Sequence, residues 1–265
     1  MRLPVLCYHG MNVHGSDYAN NDHVAFEADL ALLAAENRSV VPLHDAVAAR
    51  ENGVELPKNA VAISFDDGSW FDWHDLEHPA LGLQRSFATA MRASRSRFPR
   101  GLHATSFVIV SPEARAFLDR TCMIDRGWWS DAWWRDAEAE GHIAIENHSW
   151  DHNHETLPGS SRGNFATIDD YTKADAEIRV ASDWLAENLP AERPRLFAYP
   201  YGETNDYLVR EYFPTYTSEH RCTAAFTTDA RPMTPADDRW ALPRYVCGRD
   251  WRTPDELQRV LADAR

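Results

Sequence analysis

The sequence predicts an α/β protein whose parallel sheet closes into a β/α barrel of about seven strands. Three observations carry that expectation. Seven short apolar runs recur along the chain, segments with helical period separate them, and four of the runs end in residues suited to chemistry. Continuous rather than alternating hydrophobicity marks strands covered on both faces, as in a parallel sheet wrapped by helices.

The first run, Leu3 to Tyr8, ends at His9. A helix follows over Val24 to Asn37, with Phe26, Leu30, Leu33 and Ala34 at helical spacing. The second run, Ala60 to Phe65, ends in Asp66-Asp67-Gly68, and a further helix is expected over Leu83 to Ser94. After the run Ala104 to Val110, the segment Ser130 to Glu140 reads as a helix with Ser130 as N-cap and Gly141 as its stop. The run His142 to Ile145 leads to His148. Asp169 to Leu189 is the longest helical segment, with Ile178, Ala181, Trp184 and Leu185 on one side. Leu196 to Tyr199 delivers Tyr201, Cys222 to Phe226 and Leu242 to Cys247 complete the strands, and Pro254 to Ala264 closes the chain as a helix. In a parallel barrel the C-terminal strand ends share one rim, so His9, Asp66, Asp67, His148 and Tyr201 are expected to converge there.

Bulk properties narrow the function. At 265 residues, without a Gly/Ser/Pro-rich linker or internal repeat, the chain is read as one domain, 1–265. A net charge of -14 would repel a phosphate backbone, which argues against nucleic acid. Cys7, Cys122, Cys222 and Cys247 form no C-x-x-C pair and are read as buried reduced thiols. No segment reads as a signal peptide or a membrane span, so a cytoplasmic protein is expected. Oligomeric state is not legible.

Adjacent carboxylates at a strand end point in different directions, so one can bind a metal while its neighbour faces a substrate water; Gly68 lets the backbone turn. In His148-Ser149-Trp150-Asp151-His152 two imidazoles stand four residues apart, a spacing that places both on one face of a helical turn. Taken singly, a D-D-G turn or a His-rich surface loop would account for each. Together, Asp67, His148 and His152 supply three ligands and leave positions open for water and substrate.

With these segments the chain resembles the polysaccharide deacetylase family, carbohydrate esterase family 4. Ser64-Phe65-Asp66-Asp67-Gly68 is similar to its first motif, His148 to His152 to its second, and Phe197-Ala198-Tyr199-Pro200-Tyr201-Gly202 to its third. The resemblance implies an irregular seven-stranded β/α barrel and removal of an N-acetyl group from an amino sugar. It implies Asp66 as catalytic base, Asp67, His148 and His152 as ligands of one divalent metal, and the Tyr201 N–H as an oxyanion donor. Zinc is the default for this donor set, with iron, cobalt and nickel able to use it. Trp150, Pro200 and Tyr201 are expected to contact a carbohydrate substrate, whereas Trp129 and Trp133 read as core.

Two departures bear on the chemistry. The third motif usually carries an arginine that braces the base, and Ala198 stands in its place. The family's last motif, a strand ending in a catalytic histidine, has no counterpart near the C-terminus. The opening Tyr8-His9-Gly10 is similar to the branch that deacetylates exopolysaccharides, so His9 is nominated as general acid, with His154 or His220 as substitutes. A metal hydrolase of a non-sugar amide or cyclic imide, and a non-catalytic carbohydrate binder, stay open as alternatives.

Overall fold

Strands buried on both faces must each find two neighbours and a helical cover, and all seven apolar runs do so. The computed structural model describes residues 1–158, 162–189, 193 and 195–264. The strands are β1 (Val5–His9), β2 (Ala60–Asp66), β3 (Ala104–Val108), β4 (Ile143–Asn147), β5 (Arg195–Ala198), β6 (Cys222–Phe226) and β7 (Tyr245–Val246). They pair in parallel in the order β7-β1-β2-β3-β4-β5-β6, with registers such as Leu6↔Ile63, Ser106↔Ile145 and Leu6↔Tyr245. Leu242 closes the ring: it bridges Phe226 on β6, donating to Ala225 O at 2.8 Å and accepting from Thr227 N at 2.8 Å, just before the chain reaches β7 beside β1.

The barrel is irregular, as expected. β4 and β5 pair only at Asn147↔Phe197, and the β5–β6 register shifts between Arg195 and Leu196. Two features lie outside the sequence expectation: a short strand Ser39–Val40 beside β2, and an antiparallel hairpin of Leu76–His78 and Gly82–Gln84.

Period-two alternation sorts the strand side chains into separate clusters. Leu6, Tyr8, Ile63 and Phe65 pack with Phe26 and Leu30 of helix α1 (Asp22–Ala35). Val5, Ala62, Phe107, Leu196, Ala198 and Ala224 form a second cluster. Cys7, His9, Ser64 and Asp66 continue the parity of the second group toward the rim, where His9 pairs in register with Asp66.

Several helices start where a side chain can satisfy free N–H groups. Asn21 caps α1 by accepting from His23 N and Val24 N, Ser86 caps α3 (Phe87–Ser94), and Ser111 with Pro112 opens α4 (Pro112–Cys122). Neither α4 nor α2 (Leu43–Asn52) is anticipated by the sequence reading. Helix α5 is shorter than expected, Trp134–Glu140; Gly141 ends it with φ 78°. Ser130 instead accepts from Ala132 N in the preceding turn, so Trp129 and Trp133 do not share a helix, although both are buried. The longest helix runs through Tyr171–Ala174, a π-turn at Asp175–Arg179 and Val180–Asn188, and Pro254–Ala262 ends the chain. All four cysteines are free; Cys122 is exposed, against expectation. Among the described residues no helix is long and apolar enough to cross a membrane.

Candidate active site

The site begins with a sharp reversal of the backbone at the end of β2. Asp66 is the last strand residue, and Asp67 and Gly68 follow with φ of 73° and 66°. A Cβ on residue 68 would lie 2.4 Å from Val108 Cγ1 and 2.9 Å from Val108 Cα, so only glycine fits against β3. The Asp67 carbonyl is fixed by the Trp129 indole N–H at 3.1 Å and the Ile109 N–H at 3.3 Å. Consecutive carboxylates are thereby turned into different surroundings.

Asp67 meets the two imidazoles. Its Oδ1 lies 3.5 Å from both His148 Nε2 and His152 Nε2. His148 Nδ1 sits 2.8 Å from the Ala198 carbonyl; donation to that oxygen fixes the tautomer and leaves an Nε2 lone pair facing Asp67. The His148–His152 spacing operates through a loop rather than the helical turn expected: Ser149, His152 and Asn153 have φ of 71°, 67° and 46°. The loop is held by Ser149 N to Asn147 Oδ1 at 2.7 Å and His152 N to Ser149 Oγ at 2.8 Å. The long helix contributes as well. Around its π-turn, where the regular i→i−4 ladder is interrupted, Glu177 O accepts from Trp150 N at 2.7 Å and Ile178 O from the Asn147 side chain at 2.9 Å.

Ligands about 2.1 Å from a tetrahedral ion are separated by roughly 3.4 Å; the two Asp67–imidazole separations of 3.5 Å fit that spacing, and all three donor atoms lie within 4.8 Å of one another. Charge agrees. Burial pushes both imidazoles toward neutrality; for His152 it prevails and lowers the pKa to about 3, whereas Asp66 and Asp67 pull His148 above its ordinary value. Burial alone would raise the Asp67 carboxyl, but the two histidines hold it well below the usual range. A carboxylate, one imidazole held neutral and a second made more basic by the two carboxylates form a ready set of donors.

Asp66 has different company. Arg244 grips it with both arms of the guanidinium, Nη1 to Oδ1 at 2.6 Å and Nη2 to Oδ2 at 2.8 Å, with all four atoms buried. Burial pushes the Asp66 carboxyl up, yet Arg244 and then His148 draw it down to about 2. Ala198 leaves the third motif without its arginine, and the brace comes instead from the segment between Leu242 and β7. Its signal was one Arg inside an otherwise apolar run. Arg244 Nη1 also lies 3.6 Å from Cys7 Sγ and 3.2 Å from Ser64 Oγ. Cys7, His9 and Asp66 make a second potential ligand group among the described residues, but the guanidinium already occupies its carboxylate and contacts its thiol.

A cleft of about 280 Å³ opens above these groups, lined by His9, Asp66, Asp67, His148, His152 and Tyr201 among others. His9 is held by its own N–H to Asp22 Oδ2 at 2.8 Å, and its buried Nδ1 has no hydrogen-bond partner. His154 also reaches the cleft. His220 does not: it is buried among Phe213, Tyr212 and Trp240, with its ring nitrogens engaged by Phe213 O and Cys222 N, which removes it as a proton donor. Tyr201 takes φ 59° after β5 and is 42% exposed, its ring 4.5 Å from that of His152. Pro200 is buried beneath this turn. Trp150 packs against the main core and is absent from the cleft wall, where Trp129, read from sequence as core, takes a place instead.

The model of the polysaccharide deacetylase family matches residues 53–213. The chain belongs to the polysaccharide deacetylase family. His9 and Arg244 lie outside the matched residues, at the two ends of the chain that complete the barrel. Among solved structures, the chain is similar to a Streptococcus pyogenes deacetylase, PplD, in complex with acetate, at 17% identity and TM-score 0.65, covering 98% of each chain. A de-N-acetylase from Aggregatibacter actinomycetemcomitans aligns over 98% of this chain and 100% of its own, at 15% identity and TM-score 0.66. IcaB from Ammonifex degensii aligns over 99% and 97%, at 20% identity and TM-score 0.62. At such identities the likeness establishes the shared fold. No match was found among curated protein sequences.

Proposed function

We propose that this family member is a divalent-metal-dependent hydrolase that removes the N-acetyl group of an amino sugar in a polysaccharide or glycan precursor. The observation that carries the reading is the opposite company of two adjacent carboxylates: Asp67 faces two imidazoles and Asp66 faces a guanidinium. Asp67, His148 and His152 would hold the ion, zinc by preference for this donor set and iron, cobalt or nickel by compatibility. Such an ion supplies Lewis acidity, polarising the acetyl carbonyl and easing deprotonation of water.

The chain's own residues divide the remaining work. Asp66, kept ionised by Arg244, accepts a proton from the attacking water. The Tyr201 N–H donates to the developing oxyanion, charge that a preorganised donor stabilises more in the transition state than in the ground state. His9 delivers a proton to the leaving nitrogen as the C–N bond breaks, giving acetate and a free amine. Trp129, Met11, Ile109 and the Tyr201 ring offer apolar wall for a sugar. Trp150 and Pro200, which do not line the cleft, are not assigned contacts.

The non-catalytic binder reading drew its support from the arginine missing at Ala198 and from the absent last motif, and Arg244 takes the first of these away. The non-sugar amide reading differs only in substrate. Incubation of the zinc-loaded protein with a panel of N-acetylated sugar oligomers and cyclic ureides, scored for acetate release and ring opening, tests the proposal. Acetate release from the sugars is expected; ring opening alone would overturn it.

A further inference from the structure

Two residues in succession, Tyr201 and Gly202, hold left-handed backbone, φ 59° and 72°, in the turn that follows β5. The turn engages the N–H groups on its far side: Gly202 N donates to Tyr199 O at 2.8 Å and Glu203 N to Pro200 O at 3.1 Å. Tyr201 and Gly202 both line the cleft, and the N–H that these two bonds leave out is that of Tyr201. A tyrosine gains nothing intrinsic from this conformation, so its surroundings must impose it.

Thr228 packs against this turn at Gly202. A Cβ built on Gly202 would fall 2.0 Å from Thr228 Oγ1 and 2.8 Å from its Cβ and Cγ2, so the threonine side chain fills the volume a Cβ would take. Thr228 is itself pinned. Arg249 Nη1 donates to Thr228 Oγ1 at 3.0 Å, and Arg249 Nη2 reaches the Thr228 carbonyl. Asp250 orients Arg249 with both carboxylate oxygens, at 2.9 and 2.8 Å, and accepts from Val246 N on β7 at 2.6 Å. A chain of contacts therefore runs from β7 through Asp250, Arg249 and Thr228 to the turn that carries the Tyr201 N–H.

We propose that Thr228, held by Arg249, is a positioning residue that sets the Tyr201 N–H on the oxyanion. The inference rests on the deacetylase reading for its catalytic consequence, but the placement can be tested separately. In metal-loaded protein, Thr228→Ala is expected to lower kcat by about 10- to 100-fold, with a smaller change in KM and metal affinity within about twofold, because transition-state alignment is the main loss. Thr228→Ser, which keeps the hydroxyl, restores most of kcat. Thr228→Val, which keeps the shape without the Arg249 bond, falls between.

The second readout is the Tyr201 amide by ¹⁵N NMR in the same variants, which needs no turnover. Thr228→Ala should shift that resonance and speed its hydrogen exchange, and Thr228→Ser should leave both near native. Turnover by the native protein with unchanged kcat in Thr228→Ala overturns the proposal. So does an unmoved Tyr201 amide, whatever the activity. Absence of turnover in the native protein, with the amide moving as expected, defeats the deacetylase reading and leaves the positioning role standing.

Discussion

Arg244 and Asp66, 178 positions apart in sequence, meet as a buried two-pronged ion pair at the seam where the barrel closes. A bidentate guanidinium–carboxylate contact fixes orientation as well as charge. It also couples fold closure to chemistry, because the segment from Leu242 to β7 that completes the ring carries the brace of the proposed base.

Breaking that pair leaves a buried carboxylate unpaired. Arg244→Met should destabilise the fold by about 3–5 kcal/mol, read by urea unfolding at neutral pH. The Asp66 carboxyl then rises from about 2, so the acid limb of the kcat/KM profile moves to higher pH. In the native protein this depressed carboxyl contributes stability that is complete above its ordinary value of 3.8 and is lost as pH falls through about 2. Arg244→Met should lack that acid-side decline.

Metal uptake should release a proton. Without an ion, His148 is drawn above its ordinary 6.5 by Asp66 and Asp67, while burial keeps His152 neutral down to about 3. Zinc titration at pH 6.5 in two buffers of different ionisation enthalpy should report net proton release, carried by the His148 proton. Apparent affinity should fall as pH drops through the raised His148 value. Proton-independent binding would remove His148 from the ligand set.

Gly68→Ala places a methyl into Val108 and forces alanine into left-handed backbone. Overpacking and the conformational cost together predict a loss of about 2–5 kcal/mol. Chemical denaturation measures it directly.

Glu177, inside the π-turn, is buried beside Asp151, and burial together with the Asp151 charge raises its carboxyl to about 8. The folded state thus keeps a proton that the unfolded chain gives up near 4.5, so stability is lost as pH climbs from that value toward 8. Glu177→Gln carries no such loss. Unfolding curves at pH 5 and pH 8 should show the variant gaining on the native protein as pH rises.

The sequence made the strands legible because both their faces are covered, which leaves an unbroken apolar run as a trace. Asp66, Asp67, His148 and His152 were legible because each stands at or just beyond a strand end, where a barrel gathers side chains irrespective of distance along the chain. What escaped was set by tertiary contact. The histidines four apart lie on a loop bent by left-handed Ser149, His152 and Asn153, a shape that hydrogen bonds from Asn147 and the π-turn impose and that spacing does not encode. Arg244 sat unmarked in an apolar run, since nothing local says that an arginine there turns toward Asp66. Helix α4 could have been found: Ser111-Pro112 is a cap followed by a first-turn proline.

The central claim is the division of labour between neighbouring aspartates, and paired measurement of bound metal and turnover in Asp66→Asn and Asp67→Asn tests it most directly. Asp66→Asn should retain one zinc per chain while acetate release falls at least about a hundredfold, and Asp67→Asn should lose the metal along with activity. Native turnover in Asp66→Asn, or full metal occupancy in Asp67→Asn, would contradict the account.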